Sequence, residues 1–164
     1  MKIDRNPRLE LLPQTRLVGK KHRMSYDRNT TSELWKEFMP GISGIVDRLG
    51  SDLYSVEVYE DVDYFRSFEP GREFDKWAAV PVSSSSPAPE GMHTLMIPEG
   101  RYAVFNFRGK TSEVHAAYRY IYATWLGVTD YQLDCRPHFA VMGPNYKLED
   151  PDSEEEIWIP LMDL

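Results

Sequence analysis

The heptapeptide LPQTRLV at positions 12–18 has a counterpart, IPEGRYA, at positions 97–103, and this repeat decides the expected fold. Both copies begin with an aliphatic residue and keep proline second and arginine fifth. Two further matches follow in the same order: VEVY at 56–59 with FAVM at 139–142, and VPV at 80–82 with IPL at 159–161. Ordered self-similarity of this kind indicates a duplicated unit. We therefore expect two related units, from about residue 7 to 82 and from about residue 92 to 162.

Each unit shows the order strand, helix, strand, strand, which predicts a duplicated α+β fold. The segment RYAVFNF at 101–107 alternates as a half-buried strand does, and its counterpart in the first unit is 11–23. Between the units, SSSSPAPEG at 83–91 has the composition of a linker. We expect the whole chain, 1–164, to form one domain.

The helix of each unit has recognisable boundaries. In the first unit we expect Thr30 to cap the helix, Glu33 to reach back to it as in a capping box, and Pro40 to interrupt it. In the second unit we expect a cap at Thr111 and an end before Gly127. Apolar residues at helical spacing mark the buried side of the second helix: Val114, Ala117, Tyr118, Ile121, Tyr122 and Trp125.

Composition and charge exclude several classes of protein. The 164 residues are 41% hydrophobic and 13% aromatic, which is enough apolar surface for a stable fold. The net charge is −7, and the strongest basic cluster is only KKHR at 20–23, so we expect no direct binding to nucleic acid. An acidic run, EDPDSEEE at 149–156, is expected to be a solvated loop; it could also repel anionic ligands or mimic nucleic acid toward a protein partner.

The sequence also bears on location and on cofactors. Cys135 is the single cysteine, which excludes an intrachain disulfide, and the N-terminus has no apolar signal core. No stretch approaches the roughly 18 apolar residues that span a bilayer, so we expect a cytoplasmic protein without membrane contact. The four histidines lack ligand spacing, and neither a glycine-rich phosphate loop nor a nucleophile elbow is present. We therefore expect no metal and no cofactor.

The alternation of the central strands assigns their side chains to two faces. Tyr54, Val56 and Val58 share one face with Phe139 and Val141, and we expect this face to lie beneath the helices. The other face is expected to carry Ser55, Glu57, Tyr59, His138, Ala140 and Met142, together with Trp77 and Trp158. Such an aromatic face requires a cover, a partner or a ligand.

Several spaced motifs resemble one known family. They are Tyr118 to Leu126, Tyr131, RPHF at 136–139 and EIWIPL at 156–161, and together they resemble the GyrI-like small-molecule-binding family. That bacterial family includes the effector-binding domains of AraC-type and MerR-type regulators as well as free-standing members. The resemblance implies two βαββ units about a pseudo-twofold axis, with a cleft between them for aromatic, often cationic, ligands. Two such units leave no room for a helix-turn-helix, so a free-standing member is expected.

This sequence departs from the family at its usual charged position. Many relatives carry a glutamate and then a tyrosine in the fifth strand, where this chain has Ala140 and Met142. The first unit retains Glu57 and Tyr59 at the places aligned with them. Either the carboxylate has moved to the other half of the cleft, or Ala140 is a natural loss or an engineered replacement of a glutamate.

Glu57 is the candidate cation-binding carboxylate, the alternative being an exposed or arginine-paired glutamate. Trp77 and Trp158 are candidate ligand-stacking residues, or else residues of the core or of a homodimer interface. Tyr122 belongs either to the cleft or to the helix core. The aromatic-rich loop 61–75, with Phe65, is either a lid or a satellite hydrophobic cluster.

Three functions follow from the resemblance. The first is a stand-alone protein that binds aromatic small molecules of the multidrug type. The second is a hydrolase of cyclopropane-bearing DNA-alkylating compounds, in which Glu57 would be catalytic and Ala140 would impair activity. The third is an inhibitor that interacts with DNA gyrase.

Overall fold

The computed structural model describes residues 2–163, which form a single sheet in which all strand pairs are antiparallel. The strands are β1 Lys2–Ile3, β2 Arg8–Leu12, β3 Thr15–Met24, β4 Leu53–Val58, β5 Phe74–Pro81, β6 His93–Ile97, β7 Gly100–Arg108, β8 His138–Met142 and β9 Glu154–Pro160. Their order is β1-β7-β9-β8-β4-β5-β3-β6, with β2 also paired to β7. The central pair, β4 with β8, joins the two predicted units.

The repeated proline interrupts the first strand of each unit. Pro13 separates β2 from β3, and Pro98 separates β6 from β7, because proline has no N–H to donate to the ladder. The two leading strands then cross over between units: β2 pairs with β7, and β6 pairs with β3. Each unit is thus a βαββ motif preceded by one exchanged strand, an order consistent with a pseudo-twofold axis.

The strand register corrects one match of the repeat. Tyr54 pairs with the residue two before Pro81, and Phe139 pairs with the residue two before Pro160. Because the two prolines are matched in the repeat, Tyr54 is the equivalent of Phe139. The alignment of VEVY with FAVM is therefore two residues out of register. The counterpart of Ala140 is Ser55, its direct partner across the central pair, rather than Glu57.

The first helical segment consists of α1, Thr31–Phe38, followed by a 3-10 turn at Met39–Gly44 that contains Pro40. The interruption at Pro40 is confirmed, but the capping box is wrong. The Thr30 side chain makes no cap hydrogen bond, because its hydroxyl bonds Nδ1 of His22 at 3.0 Å. Asn29 accepts the hydrogen bond from the backbone N–H of Thr31 instead.

The second helical segment runs without a break from 111 to 128. It comprises a 3-10 turn at Thr111–Glu113, α2 Val114–Arg119, a π-helical stretch Tyr120–Trp125 and α3 Leu126–Val128. Lys110, rather than Thr111, occupies the N-cap position. The expected apolar stripe is confirmed, since Ala117, Ile121 and Trp125 are buried.

Both helical segments cover the same face of the sheet. On this helix-bearing face, α1 packs on Ala78 and Val80, whereas the second segment packs on Phe105 and Ile157. The expectation that Tyr54, Val56 and Val58 lie beneath the helices is wrong. They belong to a separate core on the opposite, helix-free face, where the exchanged strand β6 contributes Ile97. The alternation of side chains along the strands separated the residues of the two faces correctly, but alternation does not show which face the helices cover.

The predicted linker 83–91 is tied to the first unit. Ser86 is fully buried, its hydroxyl donates to the Val46 carbonyl at 2.7 Å, and the Arg16 guanidinium donates to the Ser86 carbonyl. Among residues 2–163 there is no helix with the length and apolar character needed to cross a membrane.

Candidate functional site

The candidate site is the cleft between the two helical segments, above the central strands β4 and β8. Its floor is formed by Ser55 and Ala140, which pair directly, flanked by Ala78 on β5 and Ile157 on β9. Ala78 and Ala140 are almost fully buried, whereas Ser55 retains some exposure. The centre of the floor therefore consists of small side chains.

A row of charged and polar groups crosses one end of this floor. Lys76, Glu57 and His138 are neighbours on β5, β4 and β8 and point to the helix-bearing face. The Lys76 Nζ donates to Glu57 Oε1 at 2.5 Å, and both side chains are about 10% exposed. Glu57 is therefore neither exposed nor paired with an arginine, because a buried lysine neutralises it.

His138 is held neutral beside this ion pair. Its Nδ1 and the Tyr122 hydroxyl share a hydrogen bond of 2.6 Å. Burial, with a smaller contribution from the Arg136 charge, lowers the pKa of His138 to about 3. Burial also raises the pKa of Tyr122 well above its usual value. Both groups are thus uncharged at neutral pH and can exchange hydrogen bonds with a ligand.

Arg136 and Pro137 fix the start of β8 and hence the position of His138. The Arg136 guanidinium donates to the carbonyls of Arg101 and Leu161, each at 2.8 Å, and lies over the Tyr102 ring. The Tyr102 hydroxyl donates to the Pro137 carbonyl at 2.7 Å. The RPHF motif therefore acts chiefly as a structural anchor for the site.

Aromatic rings wall the same end of the cleft. Tyr59 lies edge-on to His138, with ring centres 4.9 Å apart, and its hydroxyl bonds that of Tyr26 at 2.7 Å. Phe65, from the loop between β4 and β5, stacks on Tyr122 with ring centres 3.9 Å apart and an interplanar angle of 11°. The loop thus contacts the helix of the other unit, as a lid would. Its Tyr64 is fully buried in the first unit's core, as in the satellite-cluster alternative.

The far end of the cleft carries one more carboxyl group. Glu155 pairs with Phe107 of the second unit's core, so it points to the helix-bearing face. Burial, strengthened by the Glu57 charge and opposed by Lys76, raises the pKa of Glu155 to about 7. A cavity of about 300 Å³ near the start of β9 is separate from this cleft, because its lining includes Val141 and Glu156 of the helix-free face.

The structure brings together most of the predicted site residues but not the two tryptophans. Seven lie on or above the helix-bearing face: Glu57, Tyr59, Phe65, Tyr122, His138, Ala140 and Met142. Trp77 pairs with Val56, and Trp158 pairs with Phe139, which places both rings on the helix-free face. The prediction that they share a cleft with Glu57 is wrong. The strand register places Lys76, rather than Trp77, beside Glu57.

The tryptophans pack against groups of their own face. Trp158 stacks on Phe139 with ring centres 5.2 Å apart, and the Arg8 guanidinium lies over it. Trp77 is 4% exposed in the helix-free core, with Lys21 over its ring. The core alternative is the one that the structure supports for Trp77.

Sequence reasoning missed Lys76, Glu155 and Tyr118 as residues of the cleft. Lys76 precedes Trp77 and therefore points to the opposite face of the sheet. Alternation gives this relation, but only the strand register shows which of the two faces contains Glu57. Glu155 was treated as part of a solvated acidic run, although alternation places it on the same face as the buried Ile157 and Ile159. Tyr118 stacks with Tyr122, with ring centres 6.3 Å apart, and both Glu57 and Glu155 influence its pKa.

Comparison with known proteins identifies relatives over nearly the whole chain. A family model described as a GyrI-like small molecule binding domain matches residues 5–162. The transcriptional regulator BrlR of Pseudomonas aeruginosa is 25% identical over 151 residues, which cover 91% of this chain and 53% of BrlR. The chain thus spans about half the length of that relative.

Two solved structures show the same fold at low sequence identity. The EcmrR C-terminal domain superposes with a TM-score of 0.71 at 13% identity, covering 100% of both chains. SAV2435 bound to tetraphenylphosphonium superposes with a TM-score of 0.70 at 14% identity, covering 95% of this chain and 93% of SAV2435.

Proposed function

Because the chain belongs to the GyrI-like small-molecule-binding family, we propose that it binds aromatic small molecules of the multidrug type, cations among them, in the cleft above β4 and β8. The observation that carries this proposal is the arrangement of Tyr59, Phe65 and Tyr122 above the small floor residues Ser55 and Ala140. Flat aromatic faces over a confined floor favour stacking with planar ligands. SAV2435, which shares this fold, binds tetraphenylphosphonium.

A ligand in this cleft would take the place of Phe65 on the Tyr122 ring. The loop that carries Phe65 is anchored away from the cleft by Tyr64, whose hydroxyl donates to the Arg72 carbonyl at 2.7 Å. Rotation of Phe65 alone therefore exposes the Tyr122 ring without unfolding the loop. We infer that an aromatic ligand stacks on Tyr122 in place of Phe65. Because one ring stack replaces another, opening the cleft costs little free energy.

Replacing Tyr122 by alanine should weaken binding of a rhodamine-type dye about tenfold, or about 1.4 kcal/mol, because a stacking surface is lost. Fluorescence anisotropy titration measures the affinity. Tyr122→Phe should retain most of it, since the ring remains and only the hydrogen bond to His138 is removed.

Two controls accompany this measurement. Tyr120→Ala changes the same residue type in the same π-helical stretch, beside Ile3 and Asp4 rather than in the cleft. Trp158→Ala removes a large ring from the helix-free face. Both should leave dye affinity unchanged in folded protein, whereas a loss confined to Trp158→Ala would place the ligand on the helix-free face.

We infer hydrolysis of cyclopropane-bearing alkylators as the second candidate, and Glu155 is the observation that favours it. A carboxyl group whose pKa is near 7 can give and take a proton at neutral pH. The oxygen of water would bond to a cyclopropane carbon as a ring C–C bond breaks; the electron pair of that bond moves to the conjugated carbonyl, which takes up a proton, and the water loses one. Gyrase interaction, homodimer formation and a cytoplasmic location remain predictions from the sequence.

For this second candidate we expect slow or absent turnover by the protein as it stands and at least about tenfold faster turnover by Ala140→Glu, equivalent to roughly 1.4 kcal/mol. The new carboxyl would lie on the floor between Ser55 and Ile157, close to Glu57, and their repulsion would raise one pKa. Chromatography of the ring-opened product measures the rate. Ala140→Gln supplies the same bulk without the charge, and equal rates in both variants would remove any role for a carboxylate at position 140.

A further inference from the structure

The charge that a ligand meets in this cleft does not come from Glu57. The Glu57 carboxylate is bound by the Lys76 ammonium at 2.5 Å, and both side chains are about 10% exposed. A cation entering the cleft would have to break this buried pair to reach Glu57, and breaking a buried ion pair is costly. Glu57 and Lys76 together therefore present a polar but neutral surface.

Glu155 differs from Glu57 in forming no direct ion pair, although the Lys76 charge acts on it from a distance. Within residues 2–163 its carboxyl group accepts no hydrogen bond and forms no ion pair. It lies on the helix-bearing face of β9, and its electrostatic interactions with Lys76, Glu57 and Tyr118 place it in the same cleft. A partly buried carboxylate without a partner is unfavourable in the empty site and is stabilised when a cation arrives.

We propose that Glu155 is the residue that recognises the positive charge of an aromatic cation, in place of Glu57 and of the carboxylate absent at position 140. This assignment rests on the proposed function, because it concerns the same cleft and the same class of ligand. The aromatic rings of the ligand lie toward Tyr118 and Tyr122, and its charged group lies at the β9 end of the floor. Glu155 keeps partial exposure, which gives that group access to its carboxylate.

The test uses two probes of the same shape and opposite charge, tetraphenylphosphonium and tetraphenylborate. Their affinities are measured by isothermal titration calorimetry at pH 8, where Glu155 is ionised. We expect Glu155→Gln to weaken phosphonium binding about tenfold and to leave borate binding unchanged or stronger. The change is isosteric and removes an unfavourable charge, so the variant should fold, which circular dichroism verifies.

Glu154→Gln is the matched control. It removes the same charge from the adjacent position, where the side chain is exposed and points to the helix-free face. If Glu154→Gln weakens phosphonium binding as much as Glu155→Gln does, the effect is the general negative potential of the acidic run, and the assignment of Glu155 is overturned.

A pH profile gives an independent readout, since neither probe titrates. The groups that face Glu155 are Lys76, Glu57, Tyr118 and Tyr146. Burial raises the pKa of both tyrosines, so they stay neutral below pH 9. Phosphonium affinity should therefore fall as the pH drops from 8 to 6 in the original protein and stay flat in Glu155→Gln.

Failure of this inference is distinguishable from failure of the proposed function. Binding of both probes with the same charge preference before and after Glu155→Gln overturns the role of Glu155 and leaves the cleft as a binding site. Absence of binding by either probe and by the rhodamine dye contradicts the proposed function itself.

Discussion

Replacing Lys76 by methionine will lower the free energy of unfolding by about 3–5 kcal/mol at neutral pH, the cost of leaving one partner of a buried ion pair uncompensated. Methionine fills most of the space of the lysine stem but leaves the Glu57 carboxylate without its 2.5 Å hydrogen bond. Equilibrium urea unfolding, followed by tryptophan fluorescence, measures the change.

The double variant Lys76→Met with Glu57→Gln separates charge from packing. Removing both charges should restore most of the stability, because the desolvation penalty disappears together with the attraction. Lys20→Met is the matched control: Lys20 lies on the same face of the adjacent strand and forms no ion pair within residues 2–163. A loss below about 1 kcal/mol in Lys76→Met would mean that water screens the pair, as it screens surface pairs.

The same substitution links stability to ligand charge. In Lys76→Met the Glu57 carboxylate becomes available to a cation, so phosphonium should bind more tightly while the unliganded protein becomes less stable. The lysine therefore trades affinity for stability in the free protein. The sequence argument that made Glu57 the cation-binding group had no means of finding Lys76, its partner on the next strand.

Local pattern and long-range register account for what could and could not be predicted. The duplicated prolines at 13 and 98, the interruption at Pro40 and the apolar stripe of the second helix are local signals, and each has a counterpart in the fold. Which face the helices cover, and which residue opposes Ala140, depend on strand pairing between distant segments. Period two is unchanged by a shift of two residues, so the displaced alignment of the central strands could not be detected from alternation.

The two tryptophans show that a shift of one residue along a strand moves a side chain to the other face of the sheet. Trp77 and Trp158 are large aromatics near the expected cleft, and their strands do border it. Register places Lys76 and Ile157, rather than the adjacent tryptophans, on the helix-bearing face. Glu155 is two residues from Ile157 and so faces the helices as well, although an acidic run is ordinarily solvated.

Acidification will reduce the contribution of His138 to the stability of the protein by about 2.5 kcal/mol between pH 7 and pH 4.5. Burial lowers the pKa of His138 to about 3 in the folded chain, whereas the unfolded chain titrates near the ordinary 6.5. Between these values the unfolded state binds more protons, so stability is present at neutral pH and is lost as the pH falls. Unfolding in urea at a series of pH values measures the slope.

His138→Gln isolates this contribution. A glutamine can still exchange a hydrogen bond with the Tyr122 hydroxyl but does not titrate, so the variant should lose about 2.5 kcal/mol less over the same range. His115→Gln, which replaces an exposed histidine of α2, is the matched control variant. Equal slopes for the original protein and His138→Gln would show that His138 is hydrated and titrates normally.

Glu155 acts in the opposite direction, which makes the comparison between variants necessary. Its pKa is raised to about 7 in the folded chain, so the folded state binds the extra proton, and stability is lost as the pH rises through about 7. Acidification from pH 7 to pH 4.5 therefore stabilises the folded state through Glu155 and destabilises it through His138 by similar amounts, so the two effects nearly cancel in the original protein. The Glu155→Gln variant lacks the stabilising contribution of Glu155, so its free energy of unfolding should fall more steeply between pH 7 and pH 4.5. Adding His138→Gln to the same chain should make this pH dependence shallow again.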